Sequence, residues 1–584
     1  MPRITKLLVA DRGEIARRVF RTARDMGIAT VAVFTELDTD ALFVAEAGEA
    51  VALASCGASG PGSYLDGAAL LAAARRAGAD AVHPGHGLLA EDASFAWRCA
   101  EAGLTYVGPP PEAIATMGSK LEAKAVAAAH GVPVLAAEEI EGYPPGKLEA
   151  AAEVLGWPVL VKASAGGGGR GMRVVHQGDD LGGAVDSVRK EAAAAFGDGT
   201  VFLEPWLEAA RHVEVQVLGD ASGRVVHLFD RDCSVQRRHQ IVVAEAPAPG
   251  LSVDLREVLG RAAVAVADAV DYVGVGTVEF LVAGDRFYFL EMNARLAVEH
   301  PVTEEILGLD LVRLQLGMAE GRPLPAAALH SSPNGHAVEA RLYAEDPAAG
   351  DLPQTGPLRA FEMAPGPGLR LETGVAGGSV VGGDDDPMLG KVIASGAARG
   401  EAIRRLGAAL AGMRIHGLRT NRDQLVAVLR HPEFAAGAVD TGFVERHRKA
   451  LVAPRGGREA ERLHAVAAAL SGPAWRKSPP ERTEATFMPR APRGDRQAIS
   501  VVCRVDRSGK VAVEVDGVPV SGLRVRGLSA EAVDLEVDGL RRRIEVARSG
   551  AVCDVDSNLG HTELVEVEAS RPPRSDTRLE VDDE

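Results

Sequence analysis

The chain has 584 residues, 46% hydrophobic and 25% charged, the make-up of a globular protein with room for about three to five structural units. A formal net charge of −17 argues against a nucleic-acid-binding surface, and no run of about 18 apolar residues is present to span a membrane. Cys56, Cys99, Cys233, Cys503 and Cys553 form no CxxC or metal-like spacing, and MPRITKLLVA enters a strand without a cleavable leader, so a reduced, cytoplasmic protein is expected.

Residues 5–110 alternate strand-like and helix-like segments: KLLVA, a helix from Gly13 to Met26, IATVAVF, AVALA, a helix over 66–77, then DAVHP. That order predicts a parallel sheet with crossover helices, whose strand ends at 11–14 and 83–87 are places for ligands. A GxGxxG after the first strand is missing, so a dinucleotide fold is not supported. A helix over 118–130 carries Lys120 and Lys124. Residues 157–175, WPVLVKASAGGGGRGMRVV, read as a strand with Lys162, a loop with Gly166, Gly167, Gly168, Gly169 and Gly171, and a second strand. Glycine runs let backbone N–H groups close on phosphates; the bland alternative is a flexible hairpin tip. GxxxxGK[ST] is lacking, which excludes a P-loop.

The strand TVFLEPWL ends at Glu204–Leu207, where backbone groups could meet a base. RHVEVQVLGD alternates and carries His212 and Glu214. Arg237, Arg238 and His239 then form a cationic turn suited to anions, or a solvated basic turn. Glu279 to Glu299, EFLVAGDRFYFLEMNARLAVE, reads as a hairpin about Gly284-Asp285 that could gather Glu279, Glu291 and Asn293. Hard cations such as Mg²⁺ are held by one or two carboxylates plus phosphate oxygens, so the grouping suits a nucleotide site. Two strand-end glutamates facing water are the alternative. Residues 448–495 are rich in Pro, Arg and Ser and read as a linker with a helix at 457–470. From 496 to 570 short strands with Asp-Gly and Ser-Gly turns predict a small antiparallel barrel, and 571–584 reads as a disordered tail.

GEIARRV, HPGHG, MGSK, VLVKASAGGGGRGM, RHVEVQV, RDCSVQRRHQ, EMNARLAVEHPVTE, HAVEARLYAEDP, DPMLGK and GLRTN follow one another in order. Together they resemble the biotin carboxylase component of acyl-CoA and pyruvate carboxylases, an α/β fold of ATP-grasp type, over about residues 3–447. The resemblance implies an N-terminal α/β domain over 1–115, an ATP-grasp domain over 116–330 with a lid about 135–205, and a C-terminal domain over 331–447. The barrel, mainly through VDSNLGHTELVEVE, is similar to the module joining biotin carboxylase to carboxyltransferase in multi-domain acyl-CoA carboxylases.

The resemblance also implies the chemistry: ATP activates bicarbonate as carboxyphosphate, and biotin on a carrier is carboxylated. Lys120, Lys162, the 166–171 glycines, His212, Gln236 and His239 would form the ATP set, with Glu204 and Leu207 framing the adenine. Glu279, Glu291 and Asn293 would hold Mg²⁺ or Mn²⁺. Glu299 would be the base, with Arg295 and Arg341 holding bicarbonate and the biotin enolate. By the same resemblance four departures fall outside the ATP and Mg²⁺ sets: Ile241 for the family's Lys and Ala297 for Gln at bicarbonate contacts, His86 for Tyr beside the biotin pocket, and Asp11 for Asn. No Met-Lys pair occurs, so a separate biotin carrier is expected beside a carboxyltransferase subunit. Arg18, Arg21 and Asp386 match positions near the family's dimer interface, but Asp384-Asp385 replaces an aromatic pair there.

Overall fold

The computed structural model describes residues 3–53, 64–166, 169, 171–383, 386–453, 455–472, 475, 482–490, 497–506, 508 and 510–567. The chain divides into one unit of residues 1–345 and 353–451 and a second of 346–352 and 452–584.

In the first unit, the segment expected as α/β forms a five-stranded parallel sheet, in the order Glu49–Ala52, Ala29–Phe34, Lys6–Val9, Ala81–His83, Thr105–Tyr106. Helices Gly13–Asp25, Gly67–Ala77 and Ala93–Glu101 cover it. Leu7 and Val9 face one apolar layer and Leu8 the other, as the two-residue period of a doubly covered strand requires. The helix expected over 118–130 is two, Pro111–Gly118 and Lys120–Ala129, because Ser119 is extended and caps the second through Glu122 N–H at 3.3 Å.

Residues 138–205 build a four-stranded antiparallel sheet, Glu138–Glu139, Val201–Pro205, Val159–Ala163 and Met172–Val175, on helices Pro145–Leu155 and Leu181–Phe196. Beyond it runs an eight-stranded antiparallel sheet. Its order is Arg286–Asn293, Gly274–Ala283, Arg211–Gly219, Val225–Arg237, Gln240–Ala246, His336–Tyr343, Met388–Gly396, Leu369–Thr373. Along Arg211–Gly219, Val213, Val215 and Val217 pack in one apolar core, which leaves His212, Glu214 and Gln216 on the opposite face. Along His336–Tyr343 the same alternation puts Val338, Ala340 and Leu342 on the core packed by helix Arg399–Gly412. Arg341 lies on the other face.

The second unit corrects the linker reading of 448–495. Helix Gly457–Leu470 buries Leu463 and Ala465–Leu470 inside a nine-stranded antiparallel sheet, and Arg482–Pro489 is a central strand of that sheet. An alanine-rich helix is thin, so a short-stranded sheet can curl round it, with Val501, Val513, Leu535, Ile544, Val555 and Leu564 facing inward. Among the described residues no ladder joins the outer strands Val518–Pro519 and Arg524–Leu528, so the expected barrel is a curled sheet without hydrogen-bonded closure. Cys503 and Cys553 are buried free thiols. The 571–584 tail and Cys56 lie outside the described residues. Among the described residues, no helix is long and apolar enough to cross a membrane.

Candidate active site

The hairpin of Gly274–Ala283 and Arg286–Asn293 turns at Gly284, whose φ of +62° suits a residue without Cβ. Its register sets Glu279 opposite Glu291 and Thr277 opposite Asn293. Phe280, Phe289 and Met292 turn into the apolar core; a bulge leaves Leu290 without a partner and shifts the phase, so Glu291 and Asn293 fall on the other face with Glu279. Asn293 Nδ2 donates to Glu279 Oε1, and His212 Nε2 lies 3.1 Å from Glu279 Oε2. Lys120 Nζ is 3.3 Å from Glu291 Oε2 and also donates to the Gly166 carbonyl. Burial pushes the His212 ring down, but Glu279 outweighs it and lifts the imidazole to about 9. Burial raises the Glu291 carboxyl, yet Lys120 and Lys162 pull it below the usual carboxylate range. Two opposed carboxylates and an amide, with cationic groups turned onto them, make a hard-oxygen donor set that fits Mg²⁺ carrying phosphate.

Behind the expected metal ligands, the residues expected to meet the nucleotide converge. Gln236 is hydrogen-bonded at 2.7 Å to Nδ1 of His212, which orients the ring. Glu204, 1% exposed, is bonded by Lys124 and lies 3.6 Å from Lys162 Nζ. Burial raises its carboxyl, but the two lysines bring it below the usual value. Trp206 N–H donates to the Pro158 carbonyl at 3.0 Å, and its ring meets His239 edge-on at 6.3 Å. Leu207 is half-buried just beyond that strand. A Cβ on Gly169 would stand 2.6 Å from Cβ of His239, so the glycine loop lies against the 238–239 turn. Gly167, Gly168 and Arg170 lie outside the described residues.

The acceptor end continues the same face. Glu299, 3% exposed, accepts from Arg341 Nη2. Burial raises its carboxyl, and Arg341 with Arg231 outweighs that, holding it well below the carboxylate range. Arg295 is engaged elsewhere: its Nε is 3.1 Å from Glu91, and its Nη2 donates to Asn293 Oδ1 at 3.1 Å. Ile241 is half-buried opposite Gln236. Ala297 is buried, and its carbonyl is bonded to His300 Nδ1 at 2.8 Å. His86 Nε2 lies 3.1 Å from Glu14, and the Asp11 carboxylate accepts N–H bonds from Arg12, His86 and Gly87. A carboxylate in place of the family's amide therefore has three donors to accept from.

Three participants escaped the motif reading. Arg231, 0% exposed, spreads its guanidinium over Glu214, Gln216, Thr277 and Thr303, and so sets the charge behind Glu299. Glu214 was visible by alternation with His212 but had no assigned task. Lys124 stood one helical turn from Lys120, yet only the fold brings it to Glu204. Arg18, expected near the family's dimer interface, is 3% exposed and bonded within the chain to Glu304 and Asp310. Arg21 stays half exposed, 2.8 Å from Glu372, and Asp384 and Asp385 lie outside the described residues.

Three family profiles match the chain in succession: biotin carboxylase, N-terminal domain over 3–114; carbamoyl-phosphate synthase L chain, ATP binding domain over 119–327; and biotin carboxylase C-terminal domain over 339–446. A biotin carboxylase from Halalkalibacterium halodurans is 47% identical over 445 residues, 76% of this chain and 98% of that protein. The chain belongs to the biotin carboxylase family. The mitochondrial methylcrotonoyl-CoA carboxylase subunit alpha of Arabidopsis thaliana is 46% identical over 453 residues, 77% of this chain. The match spans only 61% of that longer relative. Among solved structures, the biotin carboxylase domain dimer of Hydrogenobacter thermophilus 2-oxoglutarate carboxylase, in complex with MgADP, ADP and bicarbonate, aligns with a TM-score of 0.74. It is 36% identical and is covered over 99% of its length, against 77% of this chain. The Campylobacter jejuni biotin carboxylase in a β,γ-ATP complex gives a TM-score of 0.72 at 39% identity, over 76% of this chain and 99% of that one.

Proposed function

We propose that the chain is the ATP- and Mg²⁺-dependent biotin carboxylase subunit of an acyl-CoA carboxylase, acting on biotin borne by a carrier protein and working with a carboxyltransferase subunit. One observation carries this reading: a hard-oxygen cluster ringed by Lys120, Lys162 and His212 shares a sheet face with the Glu299–Arg341 pair. Mg²⁺, when held by Glu279, Glu291 and Asn293, would offset the charge on the transferring phosphoryl. Lys120 and Lys162 would leave their carboxylate partners for phosphate oxygens, as point charges of opposite sign. Glu299 would accept the bicarbonate proton. Held low by Arg341, it is a weak base at rest; an anionic substrate that shares the Arg341 guanidinium loosens the pair and raises its basicity. Arg341 thus serves both as substrate clamp and as the switch on the base.

Ile241 and Ala297 bring no hydrogen-bonding side chain to this end. Each bond to a charged group is worth about 1.5–3 kcal/mol, so two losses weaken bicarbonate handling by very roughly 10² to 10⁴. The same two residues favour a second reading, an ATP-grasp enzyme whose acceptor is less polar than bicarbonate. Steady-state ATP cleavage, measured with and without bicarbonate and free biotin, separates the two. Bicarbonate-dependent turnover supports the first reading, and turnover indifferent to bicarbonate supports the second. A homodimer like that of the Hydrogenobacter domain is part of the proposal.

A further inference from the structure

The strand Asn293 ends the ladder, and residues 294–299 run in irregular backbone to helix His300–Leu307. Glu299 therefore rides on a segment without strand pairing: its own carbonyl starts the helix by accepting Val302 N–H at 3.2 Å, and the carbonyl before it is bonded by a side chain. Lys391 supplies one such hold. It lies mid-strand in Met388–Gly396, opposite Arg341 in register, and is 0% exposed. Its Nζ donates to the Val298 carbonyl at 2.8 Å, immediately before Glu299, and stands 3.4 Å from Glu14 and 3.3 Å from Glu372. Three acceptors thus surround the three N–H bonds of the ammonium. Burial works against the charge, but Glu14 and Glu372 outweigh it and keep the group protonated.

The support extends outward. Glu14 opens helix Gly13–Asp25, and its Oε1 also faces His86 Nε2 at 3.1 Å. The line from His86 through Glu14 and Lys391 to the Val298 carbonyl joins the 83–87 turn to the segment that bears the base. We propose that Lys391 is a positioning residue for Glu299, and that Glu14 and His86 brace it from the far side. Arg341 grips the carboxylate while Lys391, from the neighbouring strand, grips the backbone one residue earlier. His86 thereby acts at a distance on Glu299, independently of any contact with substrate. The kinetic part of this inference rests on the proposed function; the structural part does not.

The test uses the full chain and two readouts. Hydrogen exchange of the 294–300 peptide should quicken at least tenfold in Lys391→Met, with the 274–293 hairpin unchanged, because one conformational anchor is gone. Bicarbonate-dependent kcat should fall about 100-fold while the Kd for MgATP stays within about twofold, since a base shifted by ~1 Å loses rate and not nucleotide affinity. If Lys391→Met does not fold, Glu14→Gln and His86→Leu carry the test. Each should quicken exchange of the same peptide and lower kcat, Glu14→Gln more than His86→Leu. Unchanged exchange at 294–300 in the folded variants would overturn the positioning role. Wild-type protein with no bicarbonate-dependent turnover would instead overturn the function, and the exchange result would still decide the positioning.

Discussion

The hairpin 274–293 and the segment 294–299 adjoin in sequence and share one face of the sheet, yet they are held by different forces. The hairpin's ligands hang from paired strands, so ladder hydrogen bonds and the Phe280–Phe289 core fix Glu279, Glu291 and Asn293 whatever the charges do. The following segment is placed by two long-range side chains, Lys391 on the Val298 carbonyl and Arg341 on the Glu299 carboxylate, and by the local bond of His300 to the Ala297 carbonyl. On the proposed function, a site built this way has a rigid nucleotide end and an acceptor end whose geometry depends on charge pairs. Of the departures from the family pattern, Ala297 lies in the 294–299 segment and His86 reaches it through Glu14 and Lys391, whereas Ile241 stands in a paired strand opposite Gln236.

The sharpest way to break this contrast is at the metal ligands. Glu291→Gln should lower ATP cleavage by roughly 10³-fold or more, about 4 kcal/mol of transition-state stabilisation. Phosphate release at saturating MgATP checks it, and retained cleavage would remove Glu291 from the metal set. Glu299→Gln should cut bicarbonate-dependent turnover by roughly 10²- to 10⁴-fold, the usual worth of a positioned base. MgATP affinity should not change, and a loss of affinity would mean that the two ends are not separable.

Next in size is the altered pair. Ile241→Lys with Ala297→Gln should lower the KM for bicarbonate by about 10- to 100-fold, somewhat less than two full hydrogen bonds to charge because neighbouring sites do not add. An unchanged KM would favour a different acceptor. The smallest effect expected is on pH. Arg341 keeps Glu299 ionised below the usual carboxylate range, so the stability that this pair contributes is fully present above the unfolded glutamate pKa of about 4.3 and is lost only as pH falls below it. Thermal unfolding of Arg341→Met and wild type should therefore differ in Tm at pH 7, and the gap should narrow progressively as pH falls below about 4.3. A gap of the same size at pH 7 and pH 3 would mean that the pair contributes packing rather than charge.

The hairpin was legible because it is local: two short apolar runs about Gly284-Asp285 announce it and bring Glu279, Glu291 and Asn293 near one another. Their common face was not legible, since strict alternation groups Glu291 and Asn293 with Phe289, and only the bulge at Leu290 turns them away from the core. The linker reading of 448–495 failed for the opposite reason. Arg458 and Arg462 sit on the helix and Arg482 and Pro489 in the strand, so composition does not mark the segment as folded; the curled sheet that surrounds Ala465–Leu470 comes largely from residues beyond it. Arg295 illustrates a subtler limit: the motif fixed its position in the chain, but Glu91, some two hundred residues earlier, decides where the guanidinium points.

From the sequence alone follow the class of fold, the order of its parts, the carboxylates of the hairpin and the loss of two polar side chains at the acceptor end. Only the tertiary structure decided that Glu204 is neutralised by Lys124, that Arg231 backs Glu299, and that Lys391 ties the base to the N-terminal helix through Glu14. The reason is electrostatic as much as geometric. Period and turn chemistry are written in neighbouring residues, whereas a buried charge needs a partner of opposite sign that the chain can supply from hundreds of residues away.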